Sequence, residues 1–302
     1  MTSIITRTAC PCCGSNAILD KFTCEDFTVS HESFSIWECN NCTLLFTQAV
    51  PEQKAMEPYY KSEVYISHTD SEKGIANKIY KLARRYTLKW KLNLIKVALG
   101  KEFDTINILD IGCGTGAFLN GAVEAGWHVT GLEPDDGART VCRDKYQIEA
   151  EVPSRLFELP AQHFDAVTLW HVLEHVHQLH EYMAEIKRVL KPGGMAFIAL
   201  PNYTSSDAAF YHEYWAAYDV PRHLYHFSPI AVNKLVKQHK MKTAFIKPMW
   251  LDAFYIALLS EGYKKGNGNL VTAFSQGLLS NLKASTNKSL CSSLVYAIKH
   301  DD

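Results

Sequence analysis

The chain lacks any apolar run of 18 residues, so nothing in it reads as a membrane-spanning helix. Its first ten residues, MTSIITRTAC, lack the basic start and apolar stretch of a secretory signal, which predicts a soluble cytoplasmic protein. Net charge is nearly absent: 31 basic against 32 acidic residues leave −1, too little to attract nucleic acid as a whole. The interleaving of aromatic and basic residues that single-strand binders use is missing too. No internal repeat and no low-complexity tract occurs, which excludes solenoid and disordered classes. What remains is an ordinary globular chain of 302 residues, 47% hydrophobic and 21% charged, with room for one large domain and a small one.

Cysteine is the exception to this scarcity. Nine cysteines without a signal peptide point away from disulfides, toward thiolate chemistry or simple burial. Cys10-Pro-Cys-Cys13 and Cys39-Asn-Asn-Cys42 form two C-x-x-C pairs, and residues 14–38 between them leave space for a short hairpin or two. Each pair places two sulfurs on one tight knuckle, and two knuckles complete a tetrahedral zinc site. Cys12 is an alternative ligand, but Gly14 directly after Cys13 suits the knuckle turn, so Cys10, Cys13, Cys39 and Cys42 are the expected set. Four protein ligands leave no open position, so this zinc would serve folding. Cys24, Cys142 and Cys291 read as buried bystanders.

The densest signal is Ile108 to Leu119, ILDIGCGTGAFL, where an apolar strand runs into three alternating glycines and then an apolar helix from Ala117 to Ala125. Gly112, Gly114 and Gly116 let the backbone turn sharply and approach a ligand, and the helix N-terminus faces the same crevice. A second strand ends at Glu133, where an acid commonly accepts from ribose hydroxyls. By spacing alone this loop fits a nicotinamide or flavin enzyme as well as others.

The fuller wording separates them. Asp110-Ile-Gly-Cys-Gly-Thr-Gly116, then FDAVTLWHVLEHV at 164–176 and VLKPGGMAFIALPN at 189–202, resembles three motifs of class I S-adenosylmethionine-dependent methyltransferases in their order. The resemblance covers roughly 104–245. It implies an α/β, Rossmann-like, doubly wound sheet of seven mostly parallel strands, here with a small N-terminal zinc ribbon. Strands are expected near 106–111, 127–132, 148–151, 165–170, 194–200, 242–248 and 292–299, the last as an antiparallel edge strand. LDAFYIALLSEGYKK and LVTAFSQGLLSNLK read as two added helices joined at Gly266 to Asn269. The expected division is 1–50 zinc ribbon, 51–103 connector and basic helix, and 104–302 methyltransferase domain.

The resemblance also assigns roles. Gly112, Gly114 and Gly116 would pack against the methionine and ribose portion of S-adenosylmethionine, with Cys113 shaping the loop through its backbone. Asp110 would support the methionine amino group, Glu133 the ribose hydroxyls and Pro134 the adenine side, while Trp170 and His171 complete the set at the end of the fourth strand.

Methyl transfer needs an aligned acceptor and usually a base. His171, Glu174 and His175 in HVLEH stand where the topology aims side chains at the crevice. They offer a divalent-metal site on one helix face, similar to the cluster of quinone-pathway O-methyltransferases, which carry Glu where this chain has His171. In the other reading His171 contacts the cofactor through its backbone and His175 packs inside. A second group, Asp219-Val-Pro-Arg-His-Leu-Tyr-His-Phe-Ser228, brings Arg222 and His223 either to bind and deprotonate the acceptor or, for Arg222, to pair with Asp219. His171 and His223 are the catalytic candidates. Tyr211, Tyr214 and Trp215 would wall off water, and Ser228-Pro229 would start a helix.

Lys78, Lys81, Arg84, Arg85, Lys89, Lys91 and Lys96 form a basic face over a stripe of Ile79, Leu82, Tyr86, Trp90, Leu94 and Val97. It reads as a solvated face or as an anion contact. The zinc ribbon joined to this core resembles bacterial methyltransferases acting on sugars or sugar nucleotides, without their long C-terminal domain. The expected activity is methylation of a small-molecule or glycan-linked acceptor, oxygen before carbon. A quinone-type O-methyltransferase and a non-catalytic cofactor binder using the ribbon for docking are the rivals.

Overall fold

A computed structural model describes residues 3–60, 75–100, 105–266 and 269–301. The N-terminal part builds β1 (Ile4–Ile5), β2 (Ile18–Glu25), β3 (Ser33–Cys39), β4 (Leu45–Thr47) and β5 (Val50–Pro51). The space expected for a hairpin between the two cysteine pairs is taken by β2 and β3, and the mixed ILDKFTCE pattern of β2 lies mostly open to solvent. Then comes α1 (Ile75–Leu99), the basic helix; the start expected at 72–74 lies outside the described residues.

The core alternates strand and helix: β6 (Asn107–Ile111), α2 (Ala117–Glu124), β7 (His128–Leu132), α3 (Asp136–Tyr146), β8 (Ala150–Glu151), β9 (Phe164–Trp170), α4 (Leu179–Val189) and β10 (Leu190–Pro201). After α5 (Ser206–Tyr211) follow β11 (Tyr225–His226), α6 (Pro229–Gln238), β12 (Met241–Pro248), α7 (Asp252–Lys265), α8 (Leu270–Thr286) and β13 (Ser293–His300). Ser228 caps α6 by accepting from the Ala231 amide at 3.0 Å, with Pro229 at the first position.

Seven strands form one sheet, the number expected from the resemblance, in the order β12-β13-β10-β9-β6-β7-β8. β9 and β10 are almost wholly buried because helices cover both sheet faces, which is why their sequences run apolar without alternation. One expectation needs correcting: β13 is antiparallel to both β10 and β12 and lies between them, so it is internal, and β12 is the edge. Its first six residues are all buried, which an edge position would not achieve.

The ribbon does not stand apart from the core. Its sheet has the order β11-β4-β3-β2, so a strand from residue 225 onward completes a sheet begun at residue 18. Thr47 extends the junction, its amide bonding to Leu224 O and its hydroxyl donating to His223 O at 2.7 Å. The position of His223 is therefore fixed from the N-terminal side.

Candidate active site

The cysteine knuckles close as the spacing predicts. Sγ of Cys10 lies 3.5 Å from Sγ of Cys42, and Sγ of Cys13 lies 3.5 Å from Sγ of Cys39. The four sulfurs lie within 4.8 Å of one another, near the edge of about 3.8 Å that a tetrahedron of 2.3 Å Zn–S bonds requires. The residues fit zinc. Cys12 falls outside this group of four, its thiol donating to Ala231 O at 3.7 Å. Purified protein should carry one zinc per chain, and Cys39→Ser should lose it together with folded stability, because binding free energy is folding free energy in such sites. Freshly prepared, unoxidised protein without zinc would refute this. A second equivalent surviving Cys39→Ser would belong to the histidine cluster described below.

Across the sheet, the glycine turn forms the expected cradle at the carboxyl end of β6. Gly112 has φ +74° and Gly116 φ +80°; a Cβ on the first would lie 2.4 Å from Val172 Cγ2, and on the second 2.3 Å from Cys142 Sγ. Neither position admits a side chain. Glu133 accepts from the Gly114 amide at 2.8 Å and the Asp135 amide at 3.0 Å, so its carboxylate is fixed at the mouth of the turn with lone pairs to spare. Asp110 is buried and accepts from the Thr168 hydroxyl at 2.5 Å; burial pushes its carboxyl up to about 7. Cys113 is a buried thiol pushed up by its surroundings, which makes it a poor nucleophile. Pro134 is exposed beside the cradle, and its carbonyl accepts from Arg139.

The basic helix departs from its sequence reading. Leu82, Tyr86 and Val97 are largely exposed, while Ile95 is fully buried and Leu88 packs on the same core. Lys91 lies on that inward face. Its Nζ sits 4.1 Å from the centroid of the Trp170 ring, and burial lowers the ammonium to about 8 against the pull of Asp110 and Asp252. The signal was present in the spacing, since Lys91 follows Leu88 by three residues and precedes Ile95 by four.

HVLEH does not form the single helix face expected of it. His171 takes φ +59°, and only a short 3₁₀ turn follows at Leu173–His175, so the histidines at 171 and 175 diverge. His171 is a third exposed, with Nε2 3.1 Å from Asp252 Oδ2 and Nδ1 3.4 Å from Glu174 Oε1. Burial alone would lower its imidazole, but the two carboxylates raise it to about 9.

His175 turns inward and meets His223, with ring centroids 4.5 Å apart. Each engages a backbone carbonyl through Nδ1: His175 to Arg222 O at 3.0 Å, His223 to Ala217 O at 2.8 Å. Glu174, His175 and His223 bring ligand atoms within 4.8 Å of one another, and carbonyl-anchored imidazoles beside a carboxylate can hold a divalent cation. The trio differs from the expected one by exchanging His171 for His223.

Arg222 is committed elsewhere. It is 1% exposed and donates to Asp219 at 2.6 Å, Asp26 at 2.9 Å, Thr28 Oγ1 at 2.5 Å and Tyr59 O at 2.8 Å. Of its two expected roles, loop fixation fits this geometry. Tyr211 and Trp215 are fully buried and Tyr214 is partly exposed; Trp215 donates to Asp207 at 2.8 Å.

A family model described as a methyltransferase domain matches residues 81–240, just over half of the chain. The chain is a member of the S-adenosylmethionine-dependent methyltransferase family. It is 31% identical over 153 residues to the ubiquinone biosynthesis O-methyltransferase of Maricaulis maris, a match spanning 48% of this chain and 58% of that one. Against the human mitochondrial ubiquinone biosynthesis O-methyltransferase it is 36% identical over 115 residues, covering 35% of this chain and 31% of the relative. The methyltransferase match thus spans between about a third and three fifths of these two relatives. A putative sarcosine dimethylglycine methyltransferase from Galdieria sulphuraria shares the fold, with a TM-score of 0.50, 14% identity, and coverage of 73% of this chain and 86% of that one.

Proposed function

We propose that this methyltransferase O-methylates a small phenolic acceptor, with His171 taking the acceptor's proton. The carrying observation is the placement of His171 at the carboxyl end of β9, part-exposed and held by Asp252 and Glu174. Bound S-adenosylmethionine supplies a methyl group on a positively charged sulfur. Transfer to the acceptor oxygen would leave the sulfur neutral with the former bonding pair, so what this chain's residues must manage is the acceptor's proton. The acceptor proton passes to the imidazole, and the adjacent carboxylates stabilise the imidazolium that results.

The ubiquinone biosynthesis O-methyltransferases among the relatives support a phenolic acceptor. The sugar acceptor expected from the ribbon has no such support. The direct test is turnover of simple dihydroxybenzenes and of sugar nucleotides by the purified chain, with methylated product identified by mass. Exclusive methylation of the sugars would overturn this reading.

Lys91, whose ammonium faces the Trp170 ring and feels the charges of Asp110 and Asp252, would pair with the methionine carboxylate on the cofactor side. A charge-assisted contact of this kind contributes about 1.5–3 kcal/mol, so Lys91→Met should weaken cofactor binding by roughly 10- to 150-fold. Because Lys91 loses its charge above about 8, affinity for S-adenosylhomocysteine should fall as pH rises through that value, a falling limb that the Met variant should lack. Calorimetric titration reads both, and unchanged affinity in the variant would remove Lys91 from the site.

A further inference from the structure

The helical pair α7 and α8 is inserted between β12 and β13; α7 packs Ile256, Leu259 and Tyr263 inward, whereas α8 turns its large apolar residues outward. The buried residues of α8 are Ala273, Gly277, Ser280 and Ala284, all small. Leu270, Val271, Phe274 and Leu282 instead stand 56–79% exposed. The inner stripe of small residues lets α8 lie close against α7, where a Cβ on Gly277 would meet Phe254 Cδ1 at 2.7 Å. Core packing therefore accounts for the small residues and leaves the large ones unexplained.

The outward residues of both helices adjoin. Phe254 of α7 stacks on Phe274 of α8 with centroids 5.3 Å apart, and the Asn281 side chain donates to Trp250 O at 2.7 Å. This alignment sets Leu251, the residue before α7, and Tyr255 and Leu258 of α7 alongside the exposed stripe of α8. Seven large apolar side chains, each 38–79% exposed, thus share one surface, where an ordinary monomer face shows such residues scattered singly.

The electrostatics select the occupant. From Leu270 to Leu282 the chain has no charged residue, and on α7 Glu261 is buried. A two-fold interface sets one patch against its own copy, where any charge would face its like; a neutral patch carries no such penalty. Binding to anionic lipid would instead call for Lys and Arg all along the polar face; on α8 that face carries Thr272, Ser275 and Gln276, with Lys283 as the single basic residue of the helix.

We propose that this face is a homodimer interface, in which α7 and α8 of one copy pack against the same helices of a second copy about a two-fold axis. Because Asp252 at the start of α7 holds His171, the interface would also steady the reaction site. Sedimentation of the full zinc-containing chain tests it, with expected self-association to a dimer by roughly 100 µM. The double variant Leu270→Glu, Val271→Glu, altered at two highly exposed positions, should sediment as a monomer with wild-type circular dichroism and cofactor affinity. Leu282→Lys should weaken the dimer independently, which keeps the test decisive if the double variant fails to fold. A wild-type monomer at that concentration, or dimers in both variants, would overturn the proposal. So would flotation of a monomeric chain with phosphatidylserine-containing vesicles, which assigns the face to lipid.

Discussion

Arg222→Met is expected to cost about 3–5 kcal/mol of folding stability, the usual consequence of removing one partner from a buried ion pair. The guanidinium is enclosed by Asp26 and Asp219, with Thr28 and the Tyr59 carbonyl taking further protons. Methionine fills a similar volume but leaves both carboxylates without their cation. Asp26 and Asp219 belong to segments 193 residues apart, so the loss loosens the ribbon from the loop that carries His223.

The pH dependence has a definite sign. Burial pushes both carboxyls up, and the Arg222 bonds more than offset this, holding each below the ordinary carboxylate range. A depressed folded value gives stability that is complete above about pH 4 and is lost as pH falls through the folded value. Wild type and variant should therefore differ most near neutrality and converge in acid. Urea unfolding at pH 7 and pH 3 reads both quantities. A neutral-pH difference under 1 kcal/mol, or a gap that widens in acid, would mean that Arg222 is not the clamp described.

The glycine turn and the clustering of four cysteines were legible in the sequence because each rests on short-range chemistry. Glycines at Gly112 and Gly116 state a backbone requirement, and two C-x-x-C pairs state a ligand geometry, whatever the rest of the chain does. Strands such as β9 and β13 were legible for a related reason, since burial on both faces writes itself as unbroken apolar runs, whereas β7, β8 and β12, partly open to solvent, were placed by the family resemblance. The histidine cluster was not legible. Its assembly depends on the left-handed backbone at His171, which a histidine does not announce, and on a strand pairing between β4 and β11 spanning about 180 residues. Arg222 was ambiguous for the same reason: Asp219 is visible three residues away, whereas Asp26 becomes a neighbour only through the shared sheet. The internal place of β13 was likewise decided by its neighbours, through a register that no single strand encodes.

His171→Asn should reduce turnover by roughly 10²- to 10⁴-fold, the range for loss of a positioned general base, while affinity for S-adenosylhomocysteine is kept. The wild-type imidazole is raised to about 9, so at neutral pH most of it is protonated and only a minor fraction can accept a proton. At saturating S-adenosylmethionine, which removes the titration of Lys91 from the measurement, the rate should climb about tenfold per pH unit below 9 and level above it. Asp252→Asn then separates a chemical role from a structural one. The Asp252 bond is the largest of the contributions that raise His171, and removing an opposite charge at this distance lowers such a value by about 1–3 units. The rising limb should shift to lower pH by that amount, and near pH 7 the variant should hold more of its histidine in the accepting form than the wild type does. A histidine that merely supports the loop would show no such shift. A flat wild-type profile between pH 6 and 10, or an inflection that stays put in Asp252→Asn, would transfer the proton to another group, and His223, anchored behind Glu174, would be the next residue to replace.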